Sequence, residues 1–247
     1  MQQKVRFNGL CGILHTPNTK SKHGIVMVHG FGGEGLEPEF EDVANSLSRK
    51  GFLVLRFLFG GYERSDLTKL TISNEIRELK SAIDFLHKKG AKKIGIFAQS
   101  LGCAVSILLN DPRIASMVLL APGINLKDWP PREFGKDKIR QLEKSTKAVI
   151  LMNRHGEKRT LGAGFWIDIK RINSIIKKQV EQINCPILII YGTRDRTFEL
   201  SEYEQLFKWA HQPKELVALK GARHVIIREE KFRKEVIALA QEFFSKF

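Results

Sequence analysis

Ser100 ends an apolar run and begins a helical one, in Ile94-Gly95-Ile96-Phe97-Ala98-Gln99-Ser100-Leu101-Gly102. A serine on such a strand-to-helix turn is pushed clear of the backbone. The helix N-terminus then lies beneath the place where an oxyanion would form. The turn needs small residues two before and two after the serine, and Ala98 and Gly102 meet that need. The chemistry this suits is nucleophilic attack on an acyl carbon. Taken alone, Ser100 is equally well read as a helix cap.

Three other loops follow apolar runs and carry matching chemistry. His29-Gly30-Phe31-Gly32-Gly33 follows Gly24–Val28. A glycine-rich loop at a strand end turns backbone N–H groups toward a ligand, and two such donors can hold a tetrahedral oxyanion. The candidate donors are the N–H groups of Phe31 and Leu101. Tyr191-Gly192-Thr193-Arg194-Asp195 offers a carboxylate, with Asp66 and Glu199 as rivals. Lys220-Gly221-Ala222-Arg223-His224 offers a base. A histidine between serine and carboxylate works as base and then acid while the carboxylate holds its tautomer. Singly, His224 reads as a surface residue and Asp195 as a turn residue. Together they stand in the chain order Ser, Asp, His.

Short apolar runs alternate with helical patterns, which predicts an α/β fold with a mainly parallel sheet covered by helices on both faces. Val5–Leu10 and Gly12–His15 form an opening hairpin around Asn8-Gly9. Strands are expected at Gly24–Val28, Phe52–Phe57, Lys93–Phe97, Ser116–Ala121, Pro186–Tyr191 and Glu215–Leu219. Helices are expected at Pro38–Lys50, Leu70–Lys89, Ser100–Asn110, Ser201–His211 and Arg228–Phe247, each with apolar residues at helical spacing.

The stretch 123–184 breaks this rhythm. Pro130-Pro131 opens one helix carrying Ile139 and Leu142. Ala148–Met152 and Arg159–Leu161 pair as a hairpin across Arg154-His155-Gly156. Phe165 to Ile183 repeats at helical spacing. A long excursion of this kind is usually a lid or a binding element. It is read as a cap within a single domain, 1–247, with Phe165 and Trp166 as candidate substrate-binding residues.

The segments Val28-His29-Gly30-Phe31-Gly32-Gly33, Ala98–Gly102, Pro186–Asp195 and Gly221–His224 resemble the α/β-hydrolase superfamily, and the resemblance spans nearly the whole chain. It is similar to the small-lid cinnamoyl and feruloyl esterases and to serine aminopeptidase-like hydrolases. The resemblance implies a central eight-stranded sheet, Ser100 as nucleophile, His224 as base, Asp195 as orienting acid, and Phe31 and Leu101 as oxyanion donors. The chain departs from the pattern at Ala98, at Cys103 and after Asp195, where Arg196-Thr197 replaces an apolar–proline pair.

The bulk composition sets the remaining expectations. The chain has 247 residues with 43% hydrophobic and 28% charged, within the range of one α/β domain. Three cysteines, Cys11, Cys103 and Cys185, argue against a disulfide framework and for a reducing, cytoplasmic setting. Neither a secretory signal nor a transmembrane run is read. The net charge is +14, and residues 125–185 hold 14 Lys+Arg against 7 Asp+Glu, so half the excess lies in the cap.

The expected activity is hydrolysis of a carboxylic ester through an acyl-enzyme, on a small-molecule ester or acyl substrate, with no cofactor and no metal. Alternatives are a serine aminopeptidase using Glu133, Glu143 or Asp168, a thioesterase, or a binding protein using the basic cap. No nucleic-acid partner is expected, because no basic run is interleaved with aromatics. Self-association as a homodimer stays open. His15, His23, His87, His155 and His211 are read as surface residues, and Cys103 as packing.

Overall fold

The computed structural model describes residues 1–62, 66–144, 149–152 and 158–247. Its sheet has eight strands. In chain order these are β1 (Gln2–Phe7), β2 (Leu10–His15), β3 (His23–Val28), β4 (Leu53–Leu58), β6 (Lys93–Gln99), β7 (Ile114–Leu120), β10 (Ile187–Gly192) and β11 (Lys214–Leu219). A second sheet of three short strands holds β5 (Asp66–Leu67), β8 (Val149–Met152) and β9 (Lys158–Leu161). The main order is β1-β2-β4-β3-β6-β7-β10-β11. The first two pairings, β1 with β2 and β2 with β4, are antiparallel, and the rest are parallel. The opening hairpin turns at Asn8 and Gly9, both at positive φ, the backbone that a tight two-residue turn demands.

The strands are apolar on both sides because both faces are covered. In β3, Val26 and Val28 join the core beneath α2 (Ile72–Lys88) and α3 (Leu101–Leu109). Ile25 and Met27 join the core beneath α1 (Pro38–Arg49) and the last helix, α8 (Glu230–Lys246). Met117 and Leu119 against Val118 and Leu120 repeat this alternation in β7. β11 is an edge strand pairing only with β10 among the described residues, and its side chains are largely half-exposed.

Most expected elements appear within a few residues of their predicted ends. α2 starts later than expected because Thr71 caps it, its Oγ1 accepting from the Asn74 N–H at 3.1 Å. The strand at Lys93 runs on to Gln99. The region 123–184 differs more. Its first helix is two, α4 (Trp129–Phe134) and α5 (Lys136–Lys144), separated at Gly135 with φ +88°. A left-handed residue cannot continue a helix, so the single expected helix is corrected to a pair. β8 and β9 pair antiparallel as expected. The Arg154-His155-Gly156 turn lies outside the described residues. β9 also adds to β5, a strand the sequence reading lacked. α6 (Ala163–Val180) follows and returns the chain to β10 through Ile183, with α7 (Leu200–Trp209) beyond. Among the described residues no helix is long and apolar enough to cross a membrane.

Candidate active site

Ser100 has φ 52° and ψ −119°, a conformation L-residues rarely adopt. Strain of this kind costs about 1–3 kcal/mol and survives only where the surroundings enforce it. Here the Ser100 N–H donates to Leu120 O at 2.9 Å, and the Cys103 N–H donates to Ser100 O at 3.0 Å. The close packing explains the glycines beside it. A Cβ on Gly102 would come within 2.5 Å of His29 O, and one on Gly30 within 3.0 Å of Ser100 Cβ. The glycine-rich loop at 29–33 therefore lies directly against the serine.

His224 Nε2 is 2.9 Å from Ser100 Oγ, and its Nδ1 is 2.7 Å from Asp195 Oδ2. Asp195 follows β10 and His224 follows β11. The two loops are tied by Arg194 N–H to Ala222 O at 2.9 Å and Gly221 N–H to Thr193 Oγ1 at 2.9 Å. Asp195 is fully engaged. Its Oδ1 accepts from the N–H groups of Thr197 at 2.7 Å and Phe198 at 3.2 Å, and Tyr203 OH donates to Oδ2 at 2.6 Å. Burial pushes the Asp195 carboxyl upward. The His224 contact, the Tyr203 hydroxyl and the Thr197 N–H outweigh burial and hold it below the usual carboxylate range. Phe198 sets its ring edge-on to the His224 ring at 5.3 Å.

Leu101 follows the serine directly, and Phe31 follows Gly30 in the loop packed against it. Among the described residues, no hydrogen-bond acceptor is paired with either N–H. Behind them His29 is buried. Its Nδ1 donates to Gly30 O at 2.8 Å and its Nε2 accepts from the Phe59 N–H at 3.0 Å. Burial holds it neutral, lowered to about 4. Tyr62 packs edge-on to His29 at 5.0 Å and donates to Glu75 Oε1 at 2.9 Å. Glu75 is 1% exposed, its Oε2 has no partner among the described residues, and burial raises its carboxyl to about 8.

The rival acids stand elsewhere. Glu199 is exposed and pairs at 4.0 Å with Arg132, and the side chain of Asp66 lies outside the described residues. Cys103 is buried with its thiol toward Leu120 O and its pKa pushed up by burial, a packing residue. His15 corrects the sequence reading. It is buried, contacting Asn45 Oδ1 at 3.0 Å and accepting from Arg56 Nε at 3.0 Å. Burial and the cation beside it lower it to about 4. His23, His87 and His211 are exposed, and His155 lies outside the described residues.

Phe165 and Trp166 part company. The Phe165 ring is 5.7 Å from that of Phe31, and Trp129 and Phe134 join the same cluster at 4.9 and 5.9 Å from Phe31. Trp166 faces α5 instead, its Nε1 donating to Glu143 Oε1 at 2.9 Å. Arg132, on α4, donates to Thr197 O at 3.2 Å and lies 3.7 Å from Glu202. The sequence reading missed Tyr203, Phe198 and Arg132. Tyr203 stands on the first turn of α7, the helix that follows the acid loop, and a polar ring in that place could have marked a return to the acid.

Comparison with known proteins agrees with this architecture. A family model described as serine aminopeptidase, S33, matches residues 155–231, which include Asp195 and His224. Esterase EstD of Thermotoga maritima is 25% identical over 231 residues, 83% of this chain and 54% of that protein. The chain thus spans about half the length of that relative. A monoglyceride lipase homolog of Monkeypox virus is 21% identical, covering 86% of this chain and 85% of that protein. Among solved structures, Est1E of Butyrivibrio proteoclasticus with ferulic acid bound is 18% identical. It covers 99% of this chain and 98% of its own, with a TM-score of 0.79. The sheet order and these likenesses show that the chain has the α/β-hydrolase fold.

Proposed function

We propose that the protein is a serine hydrolase that cleaves a carboxylic ester. The observation that carries this reading is the unbroken line Ser100–His224–Asp195, at 2.9 and 2.7 Å, behind a strained serine. With Nδ1–H donated to Asp195, the His224 ring presents a bare Nε2 to the serine hydroxyl. His224 takes the Ser100 proton as Oγ attacks the ester carbonyl. The oxyanion lodges on the N–H groups of Phe31 and Leu101, an effect worth about 3–4 kcal/mol per donor. The imidazolium returns its proton to the leaving alcohol, giving an acyl-Ser100 ester. Water, deprotonated by His224, then attacks that ester and releases the carboxylic acid. Asp195 holds the ring in place and stabilises its transient positive charge.

Residues 123–184 form the cap in this reading, and Phe165, with Trp129 and Phe134 around Phe31, shapes the acyl side. Among the described residues the three cysteines are free thiols, which suits a cytoplasmic setting. The aminopeptidase reading needs a cap carboxylate for the substrate amine. Glu143 and Asp168 are already committed, to Trp166 and Lys170 and to the Ser73 N–H respectively, and Glu133 is engaged as well. Esters are therefore favoured over peptides.

The test combines labelling with turnover. A fluorophosphonate probe should modify Ser100, mapped by mass spectrometry. Ser100→Ala should lose nearly all hydrolysis of p-nitrophenyl acetate and butyrate while remaining folded. Labelling at another serine overturns the assignment. Faster turnover of aminoacyl anilides or acyl-CoA than of alkyl and aryl esters overturns the substrate class.

A further inference from the structure

A cavity of about 660 Å³ opens between α4, α5 and the start of α6, and of its lining residues Arg132 also contacts the loop that holds Asp195. Its size is that of a small-molecule site. Pro131, Ile139 and Trp166 provide an apolar floor. The Trp166 ring is held by its bond to Glu143, and Lys170 Nζ stands 5.7 Å from its centroid.

Five cations line the cavity, Lys127, Arg132, Lys136, Arg140 and Lys170, against two carboxylates, Asp128 and Glu143. Three of these cations are themselves paired, Arg132 with Glu202 at 3.7 Å, Arg140 with Asp137 at 3.0 Å and Lys170 with Glu143 at 3.4 Å. Both carboxylates are engaged: Asp128 by Asn125, Glu143 by Trp166 and Lys170. The ammonium groups of Lys127 and Lys136 have no ion-pair or hydrogen-bond partner among the described residues, and neither belongs to a pair whose field is cancelled at the rim. Like charges gathered around one concavity repel in the absence of a counter-ion, and low-dielectric walls focus their field into it.

We propose that this cavity is a binding site for an anionic amphiphile, a single carboxylate or phosphate monoester joined to a small apolar group. The apolar part lies on Trp166, Ile139 and Pro131. The anion meets Lys136 and Lys127, with Arg140 beside them. Arg132 gives the site a line to the acid loop, since it lines the cavity and also donates to Thr197 O, whose own N–H holds Asp195 Oδ1. An anion that draws Arg132 toward the cavity loosens that bond, so occupancy should lower turnover without blocking the serine.

The experiment titrates octanoate, octyl phosphate, inorganic phosphate and the neutral octyl glucoside into the full chain by calorimetry. Octanoate and octyl phosphate should bind. Inorganic phosphate should bind at least tenfold more weakly, and octyl glucoside not at all. Affinity should fall as salt rises, because exposed charges are screened. The variant Lys136→Glu/Lys127→Glu should weaken both anionic probes at least tenfold while hydrolysing p-nitrophenyl acetate at the wild-type rate. Inhibition by octanoate should be non-competitive and absent in that variant. Equal affinity of octyl glucoside, or unchanged octanoate binding in the variant, overturns the site. Tight binding of inorganic phosphate alone overturns the amphiphile and leaves a bare anion site in its place. Binding is read without turnover, so its failure is distinct from a failure of the hydrolase reading, which the Ser100 labelling decides.

Discussion

Replacing Glu75 by glutamine should change how stability depends on pH, and the structure sets the size of the change. Burial raises the Glu75 carboxyl from 4.5 to about 8. A raised acid holds its proton more tightly in the folded state than in the unfolded chain. The stability it contributes is therefore intact below pH 4.5 and is lost as pH climbs toward 8. At pH 7 the folded protein keeps a proton the unfolded chain has released, which costs about 3 kcal/mol at 1.36 kcal/mol per unit. A glutamine in that place has no such ionisation and can still accept from Tyr62. Its amide N–H groups face the place where Glu75 Oε2 has no partner among the described residues, and that loss, about 1–3 kcal/mol, is the same at every pH. The slope is thus the diagnostic quantity. Urea unfolding, followed by tryptophan fluorescence, should show the stability of Glu75→Gln gaining on wild type by about 1.4 kcal/mol per pH unit between about pH 5.5 and 7.5. Parallel stability–pH curves for the two proteins would refute the argument, because they would mean that Glu75 is ionised in the native state.

Asp195→Asn should leave the fold intact and lower kcat on the order of 10⁴-fold, since the amide cannot stabilise the imidazolium. Steady-state kinetics on p-nitrophenyl butyrate read this, and near-normal turnover would move the acid elsewhere. Tyr203→Phe removes the 2.6 Å donor to Asp195 Oδ2. It should cost about 1.5–3 kcal/mol in thermal or urea unfolding and reduce kcat far less than Asp195→Asn. Phe165→Ala should reorder the kcat/KM ranking of acyl groups, because its ring packs against Phe31, whereas Trp166→Ala should leave that ranking unchanged. The discriminating measurement is a panel of acetate, butyrate and aryl esters.

Sequence reading finds candidates where the local pattern is strong. Ser100, Asp195 and His224, which the structure brings within hydrogen-bond reach of one another, each follow a strand-like run, and such runs announce themselves by composition. Small residues at Ala98 and Gly102 are visible for the same reason. The reading fails where a polar side chain holds its place through a distant partner. Glu75 sits on the apolar stripe of α2 because Tyr62 meets it there. His15 is buried because Arg56 and Asn45 surround it. No spacing in the chain announces either contact. Gly135 belongs to a third kind. A lone glycine inside a helical pattern is tolerated at some cost and does not by itself mark a break, and here its positive φ divides α4 from α5.

The position of β11 at the sheet edge carries a consequence for inactivation. Strands in a sheet lie about 4.8 Å apart, so His224, three places from β6 in the order β6-β7-β10-β11, reaches back roughly 14 Å to meet Ser100. Edge strands open at lower free energy than central ones. A molecule whose last strand has frayed keeps its serine turn, the glycine-rich loop beside it and both packed cores, yet has no histidine over the serine. Heating should therefore silence the protein before it melts, and amide hydrogens of Lys214–Leu219 should exchange ahead of those in β3 and β6.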